Sequence, residues 1–235
     1  MPKTPRTTDA KFAERRAELG EAALQTLADL GYARTSLREI AQNSAFSHGV
    51  LHYYFTDKLD LILCSVRQYK ARCVTRYDQV TTEAESFDEL LEGFCAALAD
   101  TLRKDASMHR LWYDLRAQAL FEAAFRDDVA EIDKSLERMI WRVLSRFAEL
   151  RGTPVRVPSG VAYAMFDGLF QQALLKHLAG DRRAVATLRS QVRLVIGQVV
   201  GEAATSAAAR PARRTPAAAP SAARTRRVAA RALGH

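Results

Sequence analysis

The 235-residue chain has only three cysteines and none of the short motifs that mark common enzyme active sites. It contains no G-x-S-x-G nucleophile elbow, no phosphate-binding P-loop, no dinucleotide-binding glycine fingerprint and no zinc-ligand spacing. Cys64, Cys73 and Cys95 form no C-x-x-C pair, and an odd number of scattered cysteines is typical of buried thiols in a reducing compartment. The sequence therefore predicts a protein that is not an enzyme, with no catalytic residue, cofactor or metal site.

Long apolar runs are also missing. The first 16 residues are polar throughout, which is not the pattern of a secretion signal. The most apolar segment, residues 161–178, is interrupted by Asp167, Gln171, Gln172 and Lys176, which are too many polar groups for a membrane span. We therefore expect a cytoplasmic protein without a membrane partner.

Positive charge is concentrated at the two ends of the chain. The net charge is +8 and the isoelectric point about 9.7, but residues 203–235 hold seven arginines and no acid. Residues 1–8 are basic and proline-containing, and we interpret them as a flexible arm that either contacts DNA or is simply solvated. The folded body is close to neutral, so the isoelectric point alone does not predict a nucleic-acid partner.

The remaining chain shows helical periodicity and no strand pattern, which predicts an all-α fold. Within residues 31–58, Gly31 can end one helix, Ser36 and Glu39 form a capping box for a second, and Ser47 can cap a third. Residues 43–46 form the turn between the second and third helices. Two short helices joined in this way are typical of a helix-turn-helix that inserts into a major groove.

This stretch resembles the N-terminal signature of TetR-family transcriptional regulators. The matching positions, in order, are Thr35, Ile40, Ala41, Ser47, Gly49, Leu51, Tyr53, Phe55, Lys58 and Leu61. The chain departs from the family at Ala45, where glycine is usual in the turn, and at His52, where tyrosine is frequent. The resemblance implies a three-helix helix-turn-helix head at residues 1–58 and a larger helical bundle for effector binding and dimerisation at residues 59–202. Residues 203–235 are low in complexity and lack large apolar residues, which predicts a disordered Ala/Pro/Arg-rich tail.

The predicted DNA contacts lie on the second and third helices and at the start of the fourth. They are Thr35, Ser36, Ser47, His48, Gly49, Val50, His52, Tyr53, Tyr54 and Lys58. His48 and His52 lie one turn apart, a spacing that suits DNA-facing donors, a plain surface pair or part of a metal site. Because residues 47–56 include no Arg, Asn or Gln, base readout must depend on short side chains and DNA shape.

Helical periodicity extends through the second part of the chain. We predict helices at about residues 57–77, 86–103, 107–120, 129–150, 161–178 and 181–199, with prolines in a loop at residues 153–159. Residues 161–178 are apolar on nearly every side, which favours burial against a second subunit. The last two helices resemble the dimerisation pair of the family.

A candidate effector site is suggested by aromatic, thioether and polar side chains in the same region. The predicted effector-binding residues are Met108, Trp112, Tyr113, Phe166, Asp167 and Phe170, which would suit an apolar or cationic compound. The segment Asp167-Gly168-Leu169 is similar to one found in choline- and betaine-type regulators of this family.

The resemblance leads to a homodimeric transcriptional repressor that binds double-stranded operator DNA and is released by a small-molecule effector. Two alternatives stay open. A helical nucleoid-associated protein would bind DNA without sequence preference, mainly through its basic ends. An all-α enzyme would have no DNA site.

Overall fold

The structure, a computed structural model, describes residues 7–201 and confirms the all-α fold: this part of the chain contains helices and no strand. The helices are α1 Thr7–Leu30, α2 Leu37–Gln42, α3 His48–Tyr54, α4 Lys58–Cys73, α5 Asp78–Glu83, α6 Phe87–Lys104, α7 Ala106–Gln118, α8 Arg126–Arg151, α9 Ser159–Leu178 and α10 Ala184–Val200, with a short 3-10 turn at Ala123–Phe125. The predicted arm at residues 1–8 contributes its last two residues to α1, and its first six lie outside the described residues. The predicted disordered tail at residues 203–235 lies outside them as well.

The predicted capping residues are where the sequence placed them. Gly31 follows α1 with a φ of 76°, and Gly152 follows α8 with a φ of 66°, a left-handed conformation that glycine adopts without strain. The Ser36 hydroxyl accepts a hydrogen bond from the Glu39 amide at the start of α2, and Ser47 does the same for Val50 at the start of α3. These contacts set the lengths of the two short helices.

Helix α4 is shorter than predicted. The periodic apolar pattern continued to Tyr77, but the helix ends at Cys73 and is followed by turns and the separate short helix α5. Val74 and Thr75 are β-branched, and the Thr75 hydroxyl donates to the carbonyl oxygen of Arg72. Side chains of this type compete with the helical hydrogen-bond pattern, which accounts for the break.

The head packs onto the rest of the chain through two helices. Leu19, Ala23 and Leu27 of α1 are fully buried, and α1 lies against α4 and α7. Two other large apolar residues of α1, Phe12 and Leu30, are 39% and 37% exposed. In the larger bundle α8 packs on α9, and α10 packs on both α9 and α6. Within the described part of the chain, no helix is long and apolar enough to cross a membrane.

Candidate DNA-binding surface and effector cavity

A single arginine ties the end of α3 to α1 and α4. The Arg16 guanidinium donates to both carboxylate oxygens of Asp60, at 2.5 and 3.1 Å, and to the backbone carbonyl of Tyr54. It also lies 4.5 Å from the centre of the Phe55 ring. The hydrogen bond from Arg16 holds the pKa of the Asp60 carboxyl below its ordinary value. The orientation of α3 is thus fixed by a half-buried ion pair outside its own sequence.

Helix α3 presents most of its predicted contact residues to solvent. Ser47, His48, Gly49, His52 and Tyr53 are exposed, with Tyr53 at 72%. Val50 and Tyr54 are half-buried. Leu51 and Phe55 are buried and hold the helix on the core, so the exposed residues form one outward face.

The two histidines of this face interact directly. Their Nε2 atoms are 3.1 Å apart and their rings are nearly perpendicular, at 83°. A hydrogen bond at this distance requires one ring to be unprotonated at its acceptor nitrogen. Among the described residues, no group of three or more His, Cys, Asp or Glu side chains is arranged to hold a metal ion.

Gly49 has no steric reason to be glycine. A Cβ atom added there would meet no protein atom within 4 Å. Glycine in a helix costs up to about 1 kcal/mol relative to alanine. The missing side chain instead leaves the backbone open to close approach by another molecule.

Thr35 and Lys58 have internal partners. Thr35 is only 3% exposed, and its hydroxyl donates to the carbonyl of Gly31 at 2.6 Å. The Lys58 ammonium donates to the carbonyl of Tyr32 at 3.1 Å and lies 4.1 Å from the centre of the Tyr32 ring. The Thr35 hydroxyl therefore stabilises the connection between α1 and α2, residues 31–36, which we call the α1–α2 corner. A DNA contact would need this hydroxyl at the surface. Lys58, at the start of α4, is half-buried and contacts the α1–α2 corner through Tyr32.

Sequence reasoning overlooked Arg38. This side chain is exposed in the first turn of α2, next to the exposed capping residue Ser36. Leu37 and Ile40 point into the core, so the helical period alone places Arg38 on the outer side. It adds a positive charge to a surface that would meet phosphates.

A cavity of about 70 Å³ lies in the larger bundle between α4, α6, α7, α8 and α9. Five of the six predicted effector residues line it, namely Trp112, Tyr113, Phe166, Asp167 and Phe170. The prediction for Met108 does not fit this cavity, because its side chain packs half-buried against the core and is not part of the wall. The other lining residues are Lys70, Tyr77, Leu98, Thr101, His109, Leu136, Met139, Ile140 and Tyr163.

The carboxylate of the cavity already has partners. Asp167 accepts a hydrogen bond from the Tyr113 hydroxyl at 3.0 Å and from the Arg116 guanidinium at 2.5 Å. Arg116 also pairs with Asp133 at 3.1 Å, and the Tyr163 hydroxyl donates to Asp133 at 2.6 Å. Burial and the neighbouring Asp167 raise the pKa of both tyrosines. Asp167 is thus neutralised by its own chain.

Lys70 and His109 are the cavity residues that sequence reasoning missed. Lys70 is 2% exposed, and burial lowers the pKa of its ammonium to about 8. Burial and the charge of Lys70 lower the pKa of His109 well below its ordinary value, so its imidazole is neutral. A lysine within the apolar stripe of α4, between Tyr69 and Cys73, was the available signal.

Helix α7 touches both the cavity and the head. Its residues His109, Trp112 and Tyr113 line the cavity. On another side, the Asp114 carboxylate accepts a hydrogen bond from the Tyr32 amide at 2.8 Å. Arg110 donates to the carbonyl of Ala28 at 2.5 Å, at the end of α1. A displacement of α7 would therefore also move the α1–α2 corner and the end of α1.

An exposed short helix that follows a capped turn on a three-helix head defines a helix-turn-helix DNA-binding protein. Residues 19–63 match the model of the bacterial regulatory proteins of the tetR family. The HTH-type transcriptional regulator BetI of Paraburkholderia phymatum is 27% identical over 189 residues, which cover 78% of this chain and 94% of that protein. BetI of Burkholderia mallei is 26% identical over 180 residues, covering 74% and 89%.

Solved structures share the fold. A TetR transcription regulator from Haloarcula marismortui has a TM-score of 0.64 at 19% identity, covering 79% of this chain and 98% of that one. The transcriptional regulator FadR from Bacillus subtilis, in complex with stearoyl-CoA, has a TM-score of 0.61 at 18% identity, covering 76% and 96%. The head of this chain thus matches the tetR family, and over most of its length the chain is similar to transcriptional regulators with that kind of DNA-binding head.

Proposed function

We propose that the protein is a homodimeric repressor that leaves its operator when a small molecule occupies the cavity of the larger bundle. The observation that carries this proposal is the position of α7, which contributes residues to the cavity wall and to the contact with the head. FadR of Bacillus subtilis, whose fold is shared, is described in complex with stearoyl-CoA, which is consistent with ligand binding by a bundle of this kind.

The exposed face of α3 supports a direct role in reading DNA. Ser47, His48, His52 and Tyr53 offer hydroxyl and imidazole groups, and Gly49 allows the helix backbone to approach closely. Val50 and Tyr54 stand at the edge of this face, where Val50 suits a thymine methyl group. Ser36 and Arg38 on α2 are positioned for phosphates, and Lys58 contributes positive charge near its half-buried corner.

The link through α7 provides a route for release. A ligand that pushes on Trp112 or Tyr113 displaces the helix that holds the Tyr32 amide and the end of α1. A ligand changes the equilibrium between two head positions only by its difference in affinity for them. The cavity of about 70 Å³ is small, so an entering molecule has to move its walls to gain room.

Exposed apolar residues on α9 and α10 support dimerisation. Val161, Leu175, Leu178 and Leu194 are 48%, 64%, 44% and 61% exposed. Exposed large apolar side chains on two helices that pack together are typical of a subunit interface. A second copy placed by a two-fold axis would cover the same residues on both chains and would pair the two heads with two half-sites.

Footprinting on the DNA that flanks its own gene tests the proposal. A discrete symmetric site, with half-sites about one helical turn apart, is expected, and a compound that enters the cavity should remove the footprint. Uniform, strongly salt-sensitive coating would support the nonspecific DNA-binding alternative instead. Absence of any binding would overturn a DNA-reading role and leave the enzyme alternative.

A further inference from the structure

The cavity of the larger bundle holds hydrogen-bond donors that no described residue satisfies. The indole N–H of Trp112 and the Nε2 atom of His109 are buried without a hydrogen-bond partner. Lys70 is 2% exposed, and burial and the charges of neighbouring groups, rather than a hydrogen bond, act on its ammonium. Buried polar groups are normally paired, so two unpaired groups beside a buried ammonium at one cavity indicate a partner from outside the chain.

The ammonium of Lys70 lies against two aromatic rings. Its Nζ atom lies 4.9 Å from the centre of the Trp112 ring and 5.6 Å from that of Tyr69. Contacts of this kind are worth about 0.5–2 kcal/mol, far less than the cost of burying an ammonium without a counter-ion. The nearby carboxylates of Asp167 and Asp133 oppose the cost of burial through space, but burial outweighs them and lowers the pKa of Lys70 to about 8.

The carboxylates near the cavity do not form an ion pair with Lys70 among the described residues. Asp167 is occupied by Tyr113 and Arg116, and Asp133 by Tyr163 and Arg116. An entering cation would find Asp167 already paired and would be repelled by the Lys70 ammonium. The cationic compound that the Asp167-Gly168-Leu169 resemblance suggests therefore fits this cavity poorly, although the aromatic walls by themselves would suit it.

The size and lining restrict the anion. An engineered protein cavity of about 150 Å³ accommodates benzene, so the present cavity of about 70 Å³ has room for only a few heavy atoms before its walls move. The lining beyond the unpaired donors is mostly aromatic and aliphatic. A phosphate or sulfate dianion would need more donors than the cavity supplies, whereas one carboxylate can be satisfied by an ammonium and one or two N–H groups.

We propose that the effector is a small monocarboxylate with an apolar body, whose carboxylate forms an ion pair with Lys70 and accepts a hydrogen bond from Trp112. The proposal rests on the proposed function only in calling this ligand the effector; the binding site itself is argued independently of DNA. His109 is a positioning residue that can donate from Nε2 to the second carboxylate oxygen in one of its tautomers.

The test is titration calorimetry of the full-length protein without DNA. The probes are straight-chain carboxylates from acetate to octanoate, together with benzoate and phenylacetate. Each is compared with its neutral primary amide, and choline is the cationic probe. We expect at least one carboxylate to bind, with its amide and choline weaker by roughly thirtyfold or more, because the amide leaves the buried ammonium without a charged partner. Tighter binding of choline or of the amides, or failure of every carboxylate to bind at millimolar concentration, would overturn the proposal.

Two variants refine the test. Lys70→Met should abolish the preference for the carboxylate over its amide, whereas Lys104→Met, which removes an exposed lysine paired with Asp100, should preserve it. If Lys70→Met does not fold, the preference of the wild-type protein decides the matter alone. A carboxylate that binds without displacing operator DNA would contradict the proposed release mechanism and leave the ligand class standing. Release of operator DNA by a neutral or cationic compound would support the proposed release mechanism and contradict the proposed ligand class.

Discussion

At the scale of single residues, Gly49 combines a cost to the helix with no internal benefit. Its Cβ position is open, so Gly49→Ala should raise the free energy of unfolding by a few tenths to about 1 kcal/mol. If the backbone of α3 approaches DNA closely, the same change should weaken operator binding by about tenfold, or about 1.4 kcal/mol. Urea unfolding and operator titration at fixed salt measure the two effects.

Gly160→Ala is the control for the Gly49→Ala variant. Gly160 is also the second residue of a helix and also has open space at its Cβ position, but it lies on α9, far along the chain. Unchanged operator affinity of the Gly49 variant would contradict the close approach.

Lys70 should lower stability in a way that depends on pH. Burial, opposed mainly by the nearby Cys73 and Asp167, lowers its pKa from 10.5 to about 8. The unfolded chain therefore binds more protons between about pH 8 and 10.5, and this residue makes the protein more stable as pH rises through that window. Below pH 8 the full cost of about 3 kcal/mol remains, since one pKa unit corresponds to about 1.36 kcal/mol.

Replacing the lysine should therefore stabilise the protein without ligand. Lys70→Met should raise the free energy of unfolding at pH 7 by about 2–3 kcal/mol, with the gain shrinking toward zero by pH 10. Urea unfolding at several pH values measures the difference between the two proteins, in which the other titrating groups largely cancel. Lys104→Met, at a side chain 73% exposed, should change stability little at any pH. A destabilised Lys70→Met protein would show that the cation is better compensated than its contacts indicate.

At the scale of helices, α7 should carry the coupling between cavity and head. Asp114→Ala removes the acceptor for the Tyr32 amide but leaves the cavity wall unchanged. We expect the variant to bind the effector as the wild-type protein does, yet to lose about 0.5–2 kcal/mol of the coupling between effector and operator. Calorimetry with and without operator DNA measures that coupling. Asp29→Ala serves as the control, because the Asp29 carboxylate pairs only with Gln25 on the exposed side of α1 among the described residues. Equal coupling in wild type and Asp114→Ala would exclude this route.

The features that sequence analysis predicted correctly are local ones. Ser36, Ser47, Gly31 and Gly152 act within one turn of their own position, so residue type and spacing were enough to place the helix ends. The break at Val74 depended on competition between a continuing apolar pattern and β-branched side chains, and the pattern alone does not decide such a competition. The burial of Thr35 was not predicted from the sequence, because the same residue type suits a DNA contact and an internal hydrogen bond. In the structure its hydroxyl donates to the backbone carbonyl of Gly31.

The cavity shows where sequence reasoning ends. Five of the predicted effector residues line it, and four of these are aromatic side chains, which are usually buried in a helical bundle. The role of Lys70 was not predictable in the same way, because it requires knowing that Asp167 is already paired with Tyr113 and Arg116. That pairing joins α7 and α9, which are distant in sequence and meet only in the folded bundle.

At the scale of the whole molecule, the proposed dimer determines whether two heads can read one operator. Leu175→Glu would place one carboxylate from each subunit at the two-fold interface, where the two negative charges repel each other. Burial of a leucine contributes about 1.5–3 kcal/mol, so losing two of them and adding two like charges should dissociate the dimer at micromolar concentration. Sedimentation equilibrium measures the association, and operator titration should show a large loss of affinity for the symmetric site with weaker binding to a half-site retained.

A matched control separates the interface from a general effect of surface charge. Leu120→Glu changes an equally apolar side chain that is 75% exposed but follows the end of α7 and belongs to neither α9 nor α10. We expect it to leave both association and operator affinity unchanged. If the wild-type protein is a monomer at the concentrations where it binds its operator, or if both variants behave alike, the exposed apolar face of α9 and α10 is not the dimer interface. Recognition of a symmetric site would then have to depend on cooperation between two chains assembled on the DNA itself.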